Sequence, residues 1–251
     1  MKTYYFIFIF LFTGCSTGYI PSPKNIPLFE KKGEVQIETG VSDNYVFVSG
    51  SYAFSKKYAL ITNGFLAFGN FSEEEYLNDL LYTISYGYLG GYISKNRYVE
   101  IGLGRYNLLP SSRWRLEAFA GAGYSMTKQG NEFSQFRKDN RYYQGFTQAN
   151  ISRKLKRTEI GWSLRMAYSD FQFKSFPRHS QEMIYHNFGA LHVEPLMFFR
   201  FGGKHFHGVV RGGHDFLYPL SSSARDGIYH GKFDLFYVNR MHLSVGLSYR
   251  F

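Results

Sequence analysis

The chain is dominated by long runs in which apolar and polar residues alternate with a period of two. The last of these, residues 241–251, places its apolar side chains on one face and polar ones such as His242 and Arg250 on the other, because successive strand side chains point in opposite directions. Several runs continue for about ten to fourteen residues, whereas strands of globular proteins usually have about five or six. The pattern predicts an all-β fold of unusually long strands.

About twelve runs of this kind follow one another along the chain. They cover residues 34–41, 45–54, 58–69, 80–93, 97–107, 113–126, 141–153, 158–171, 187–201, 205–216, 229–238 and 241–251. Their length suits a tilted transmembrane strand, which has roughly ten residues, and no fixed repeat indicates a propeller or solenoid. We therefore expect an antiparallel up-and-down transmembrane β-barrel of about 12 strands, within a range of 8 to 14.

The short connections between these runs change parity along the chain. Residues 55–57 and 94–96 follow even-numbered runs, whereas 153–157, 202–204 and 239–240 follow odd-numbered ones. Because one end of a membrane barrel carries the short turns and the other the long loops, this predicts either a miscounted strand around 107–116 or long loops that face inward.

A barrel in lipid presents apolar side chains outward and admits polar ones inside. In run 158–171, Trp162 and Leu164 alternate with Ser163 and Arg165, although a soluble sandwich would show the same alternation. If the charged faces point inward, one lumen holds Glu100, Arg115, Glu117, Glu159, Arg165, Glu194, Arg200, Arg211, Asp215, Asp234 and Arg250. Such charges must pair or be hydrated, either as an interlocked polar plug, which we favour, or around a water-filled path that slightly favours anions.

The start of the chain has the order of an export signal. Lys2 precedes an apolar run at residues 4–12, which is less than half of the roughly 20 residues that a membrane-spanning helix needs. We therefore expect residues 1–14 to be removed as a signal peptide. Cys15 is the only cysteine, so it has no partner for an intramolecular disulfide.

Two stretches near the start resemble bacterial lipoproteins. Phe12-Thr13-Gly14-Cys15 resembles the lipobox, which implies that Cys15 is acylated, palmitate included, and becomes the first mature residue; an ordinary signal peptide is the alternative. Residues 15–33 contain prolines and no sustained period, which predicts an extended, lipidated tether. Within 19–34, Asn25-Ile26-Pro27-Leu28-Phe29 and its neighbours look like the start of a group of little-characterised outer-membrane lipoproteins, a likeness that implies location and fold rather than activity.

The terminal run resembles the last strand of bacterial outer-membrane β-barrels, whose closing aromatic residue is read by the barrel-assembly machinery. The resemblance implies that Tyr249 and Phe251 form an assembly signal, and that outer-membrane lipids and this machinery are partners. Strand length, the lipobox-like start and this ending together favour a barrel at residues 34–251 in the outer membrane of a Gram-negative bacterium over a soluble sandwich.

Composition narrows the classes of partner. The formal net charge is +10, but the basic residues are scattered rather than gathered into an arm or helix, which argues against nucleic acid. Attraction to lipopolysaccharide phosphates or to anionic solutes fits the charge better, and a simple balance for solubility is the alternative. Another envelope protein is a further candidate partner. No long apolar run follows the signal, so helical membrane spans are excluded.

Candidate chemistry is sparse. His205 and His207 share a strand face and could bind a metal, yet no third ligand has a recognisable spacing, and we expect neither metal nor cofactor. Ser163 with His192, or the loop residues 179–180, could belong to a hydrolase, but neither pair resembles the motifs of outer-membrane phospholipases or lipid A deacylases. We expect no catalytic residue.

Aromatic residues are abundant and have two explanations. They could stack on sugars, or they could form the girdles that anchor a barrel at both membrane surfaces, which we favour. The set comprises Tyr86, Tyr88, Tyr92, Tyr98, Tyr106, Tyr142, Tyr143, Tyr168, Trp114 and Trp162.

The sequence thus predicts a structural, interaction or narrow porin-like role without catalysis, with a hydrolase acting on lipid or lipid A as the alternative of a different class.

Overall fold

The structure is a computed structural model that describes residues 22–42, 45–69, 93–107, 109, 113–130, 137–176, 184–221 and 239–251. Ten strands account for most of them. They are β1 Val35–Ser42, β2 Tyr45–Tyr52, β3 Tyr58–Gly69, β4 Ile93–Arg105, β5 Trp114–Gly130, β6 Arg137–Lys154, β7 Thr158–Phe176, β8 Ile184–Gly202, β9 Phe206–Pro219 and β10 Asn239–Arg250. Within these ranges no helix is long and apolar enough to span a membrane.

The strands close into one barrel. Each pairs antiparallel with the next along the chain, and β1 pairs with β10. The predicted all-β up-and-down barrel is confirmed, with ten strands rather than the twelve counted. Gly69 of β3 pairs directly with Ser94 of β4, and Phe216 of β9 with Asn239 of β10. The ladder therefore passes directly from β3 to β4 and from β9 to β10, and the predicted runs 80–93 and 229–238 lie almost wholly outside the described residues.

Once run 80–93 is removed from the strand count, all the short connections follow even-numbered strands. Residues 53–57, 155–157 and 203–205 then follow β2, β6 and β8, at one end of the barrel. The expected miscount at 107–116 was wrong, because the extra run comes earlier, and the expected turn at 94–96 lies within β4. The barrel's two chain ends meet at this same end, where the Phe251 amide donates to the Val35 carbonyl at 2.9 Å. We call this end the short-turn mouth.

The outside of the wall is apolar. On β7, Trp162 and Leu164 expose 58% and 46% of their surface, whereas Arg165 exposes none. The same alternation continues around the wall and exposes Val99, Ile101, Leu103, Met166, Met197, Phe199, Met241, Leu243, Val245 and Leu247. A continuous apolar belt of this kind is stable against hydrocarbon rather than water.

Aromatic residues occur on both sides of the wall. Trp114, Trp162, Tyr143 and Tyr168 are exposed outside, as girdle residues would be. Tyr98, Tyr106 and Tyr142, which we expected in the girdles, are instead buried inside. Tyr98 and Tyr142 lie on the inward phase of β4 and β6, and Tyr106 directly follows the end of β4. Tyr86, Tyr88 and Tyr92 lie outside the described residues.

Inward aromatic rings pack where neighbouring strands carry glycine. A Cβ on Gly161 of β7 would lie 2.5 Å from Cζ of Phe198 on β8 and 2.3 Å from the Ile151 carbonyl of β6. The absence of a side chain therefore lets the Phe198 ring approach the backbone of β7, a known use of glycine in sheets. This leaves the centre of the barrel free for another element.

Candidate functional site

The centre of the barrel is filled by residues 22–30, which we call the lumen segment. The segment has no regular secondary structure, and all residues from Ser22 to Phe29 are buried. It enters through the short-turn mouth, since Gly33 and Glu34 lead directly into β1 and the Gly33 amide donates to the Ala53 carbonyl at 2.7 Å. We expected an extended tether over 15–33; of its described part, residues 22–29 lie buried inside the barrel, whereas residues 30–33 are exposed at the mouth.

The inner end of the lumen segment is held by charge. The Lys24 ammonium lies 2.7 Å from a carboxylate oxygen of Glu194 on β8, and both side chains are fully buried. Ser22 donates to Glu100 at 3.3 Å and accepts a hydrogen bond from Arg165. A buried ammonium requires a partner of opposite charge, so these contacts locate the segment at one depth in the lumen.

The backbone of the lumen segment is hydrogen-bonded by wall side chains instead of by a strand. Arg200 donates to the Pro27 carbonyl at 3.3 Å and also to the Ile26 carbonyl, and Arg115 donates to the Leu28 carbonyl at 2.8 Å. Leu28 has a φ of +55°, a conformation that costs a non-glycine residue about 1–3 kcal/mol and persists only where its surroundings enforce it. Buried backbone groups must be paired, and the arginines meet that requirement.

Apolar contacts complete the fit. Ile26 and Leu28 cluster with Leu196 and Phe198 of β8. On the opposite side of the lumen segment, the Phe29 ring lies 5.4 Å from that of Tyr106, and this second cluster includes Ala53, Ala59, Ile61, Phe119, Phe146 and Ala167. Apolar packing and hydrogen bonds therefore act on the same nine residues.

The outer end of the lumen segment is held at the mouth. Glu30 forms ion pairs with Arg115 and Lys154 and lies 3.7 Å from Arg250. Partial burial by itself raises the pKa of the Glu30 carboxyl, but the hydrogen bond from Lys154 and the nearby positive charges outweigh it, so the pKa lies below its ordinary value. The segment is consequently attached by ion pairs at both ends.

Ten of the eleven charged residues that the sequence analysis assigned to the lumen belong to the described part of the chain, and all ten line the interior or its mouth. Arg165 forms two hydrogen bonds with Glu100, at 2.8 and 2.9 Å. The remaining pairs join Arg115 to Glu159, Arg211 to Glu38, Arg250 to Glu34 and His192 to Asp215, while Glu117 accepts from the Phe29 amide at 2.8 Å. Asp234 lies outside the described residues.

Several partners in this network were missed from the sequence. Glu34 and Glu38 lie on the polar phase of the first run, so the alternation that indicated Glu100 could have indicated them too. Lys24 and Glu30 belong to the lumen segment, where no periodicity signals a buried position.

One group of side chains has the composition of a metal site. Ligand atoms of His192, Glu194 and Asp215 all lie within 4.8 Å of one another. The Lys24 ammonium already supplies a cation to Glu194, so one of the three candidate ligands is held in an ion pair. The pair expected from sequence is arranged differently: His205 lies in an exposed turn with Nδ1 2.9 Å from the Arg250 carbonyl, while His207 is half-buried on β9.

The candidate hydrolase pair is not assembled. Ser163 pairs with Leu196 and His192 with Ala167, so the two are offset by four positions, about 13 Å at the rise of a strand. The Ser163 hydroxyl donates to Asn150 at 2.8 Å. Proton transfer requires contact or one bridging water, which this offset excludes. Residues 179–180 lie outside the described residues, as does Cys15.

The end of the chain lies at the outer rim of the mouth. Tyr249 and Phe251 are exposed on the apolar face, with ring centroids 4.7 Å apart. Both side chains are therefore accessible from outside the barrel.

Comparisons with known proteins identify the fold. The outer membrane protease OmpT from Escherichia coli has a TM-score of 0.53 and 9% identity, over 87% of this chain and 93% of that one. A KdgM porin in complex with disordered oligogalacturonate (TM-score 0.33, 9% identity, 86% and 98% coverage) and a major outer membrane protein from Thermus thermophilus (0.35, 10%, 87% and 99%) are more distant. No protein-family model and no curated protein matches the sequence.

The apolar belt, the ionised interior and this fold together define an outer-membrane β-barrel protein. An apolar outer wall of this kind is unstable in water, whereas a closed barrel satisfies every backbone hydrogen bond within lipid.

Proposed function

We propose that the protein is a closed outer-membrane barrel with a structural or interaction role, whose lumen segment prevents the passage of solutes. The observation that carries this proposal is the complete burial of residues 22–29 inside the wall. Ion pairs fix the segment at Lys24 and at Glu30. The polar plug expected from interlocked charges thus includes a piece of backbone.

A narrow porin-like role would require the segment to leave. The carboxylate of Glu194 and the guanidinium of Arg200 would then lose partners and become hydrated. The result would be a polar path through a ten-stranded barrel, which is intermediate between filled small barrels and wide porins.

Planar-bilayer recordings test the proposal. We expect the mature chain to be electrically silent, and a variant with residues 22–30 replaced by a Gly-Ser segment of equal length to conduct. Circular dichroism and heat-dependent gel migration establish that both barrels are folded. Equal, steady conductance from both proteins would overturn the closed-barrel proposal.

Hydrolysis is the alternative from a different class. The His192 ring lies 3.4 Å from a carboxylate oxygen of Asp215, an arrangement that can orient a histidine base. The pair is buried beneath the lumen segment, however, and we propose that the protein is not an enzyme. Detergent-phase assays with phospholipid and with lipid A should show no product; product that disappears in His192→Gln would favour the hydrolase.

We also propose that residues 1–14 are a signal peptide, that Cys15 carries the lipid, and that Tyr249 and Phe251 are read during assembly. Labelled palmitate should enter the wild-type chain and not Cys15→Ser.

Replacing Phe251 with alanine should reduce the amount of folded barrel in the outer membrane, whereas the same change at Phe206, an exposed aromatic on the neighbouring strand, should reduce it less.

A further inference from the structure

The short-turn mouth contains a cavity of about 520 Å³ beside the lumen segment. Its walls are the β6–β7 turn, the β8–β9 turn, the start of β5, the end of β10 and residues 30–34. This volume is within the range of small-molecule sites. The cavity lies at the mouth and not at the lipid belt, because its walls are turns, strand ends and the residues that lead into β1.

The cavity is strongly basic. Eight lysine and arginine side chains line it, against three glutamates. The three carboxylates are already occupied, since Glu30 pairs with Arg115 and Lys154, Glu159 with Arg115, and Glu34 with Arg250. Counting side chains alone, the positive groups that line the cavity therefore exceed the negative ones by five.

Four cations of the cavity form no ion pair or hydrogen bond through their side chains with any described residue: Lys31, Lys156, Arg157 and Lys204. Arg157 and Lys204 come from adjacent turns, which are tied together because the Gly202 amide donates to the Arg157 carbonyl at 3.2 Å. Like charges held together by the backbone repel one another, and an anion between them removes that cost.

The turns themselves are rigidly built. The Leu155 amide donates to the Thr158 carbonyl at 2.8 Å, and the Gly203 amide to the Phe206 carbonyl at 2.9 Å. Gly202 has a φ of +149°, and a Cβ there would lie 2.3 Å from the Phe206 carbonyl oxygen. Only glycine permits this turn, so the backbone fixes the points from which the basic side chains extend.

We propose that this cavity binds a phosphate-bearing anion. Phosphate carries more than one negative charge near neutral pH and offers several acceptor oxygens, which suits a guanidinium flanked by ammonium groups. Such a group is present both in soluble phosphates and in anionic lipid headgroups at the membrane surface. The inference concerns the mouth and is independent of whether the lumen conducts.

Isothermal titration with inorganic pyrophosphate, on the full mature chain in non-ionic detergent at about 150 mM salt, a physiological ionic strength, tests the site. The site variant is Lys156→Ala/Arg157→Ala/Lys204→Ala, none of which holds the lumen segment. The control is Lys56→Ala/Lys57→Ala/Arg105→Ala, which removes the same charge from the same end of the barrel but outside the cavity. We expect the site variant to bind at least ten-fold more weakly and the control to change less than two-fold.

Two results would overturn the proposal: no binding by the wild-type chain, or equal weakening in both variants, which would indicate diffuse surface charge. Nanodiscs distinguish the source of the phosphate. If the ligand is a headgroup, phosphatidylglycerol nanodiscs should weaken pyrophosphate binding relative to phosphatidylcholine nanodiscs for the wild-type chain and not for the site variant; if it is soluble, the two nanodiscs should give the same affinity.

Discussion

The ammonium of Lys24 lies 2.7 Å from the carboxylate of Glu194, and neither side chain exposes any surface. One residue belongs to the lumen segment and the other to β8, so the contact joins the plug to the wall. Removing two charges from water is costly, and their attraction offsets that cost only while both remain in place. The pair therefore acts mainly to specify where the segment lies.

Replacing Lys24 with methionine should destabilise the barrel by about 3–5 kcal/mol, because it leaves Glu194 buried without its cation. Urea unfolding in lipid vesicles, followed by the fluorescence of Trp114 and Trp162, measures the change. The double variant Lys24→Met/Glu194→Gln should recover part of the loss, since no bare carboxylate remains. An unfolding midpoint of Lys24→Met equal to that of the wild type would show that the pair is not formed.

A charge on the outer face should be costly where the wall meets hydrocarbon. Leu164→Arg should destabilise the barrel by roughly 2–4 kcal/mol in vesicles, the cost of arginine near the midplane. The control Leu155→Arg places the same charge in an exposed turn and should change stability by less than about 1 kcal/mol. Equal effects at the two positions would be incompatible with a lipid-facing β7.

Valine at Gly161 should overpack the interior. Its side chain would collide with Phe198, which also packs against Ile26 and Leu28, and overpacking typically costs about 1–3 kcal/mol. Gly145→Val is the matched control, because a Cβ there meets no atom within 4 Å. Urea unfolding should separate the two variants; an unaffected Gly161→Val would mean that Phe198 can move without loss of packing.

The mouth end of the lumen segment should loosen in acid. The pKa of Glu30 is lowered in the folded state, so its pairing stabilises the segment above the ordinary carboxyl pKa and is lost as the pH falls through the lowered value. A nitroxide on Lys32→Cys, in a Cys15→Ser background, should become more mobile as the pH is lowered below the ordinary glutamate pKa of about 4.3. In Glu30→Gln the label should be mobile at every pH, without a step. A step that persists in Glu30→Gln would assign the titration to another group.

The inward position of Arg165 could be predicted from the sequence. A period of two places it in phase with Glu159 and Ser163, opposite Leu164, and a charge in a wall that faces lipid has only the interior available. In β4, likewise, a period of two places Tyr98 on the inward face together with Glu100. Our expectation of Tyr98 in a girdle followed residue type instead of phase, and the phase was the better guide.

The lumen segment could not be predicted in this way. Extended backbone follows from its prolines and from the absence of a period, but its location depends on partners far along the chain: Arg200, which donates to the Ile26 carbonyl, is 174 residues away. Local patterning contains no information about such contacts. Strand number failed for a related reason, since run 80–93 alternates like a strand while the ladder joins β3 directly to β4.

The most direct test of the account is the accessibility of the lumen segment in the folded barrel. In a Cys15→Ser background, Ile26→Cys places a thiol at a buried position and Lys32→Cys places one at an exposed position near the mouth. With a bulky, charged maleimide, Lys32→Cys should react within minutes, and Ile26→Cys should stay unmodified until urea unfolds the barrel. Reaction of Ile26→Cys at the rate of Lys32→Cys in the folded protein would contradict a lumen filled by residues 22–30.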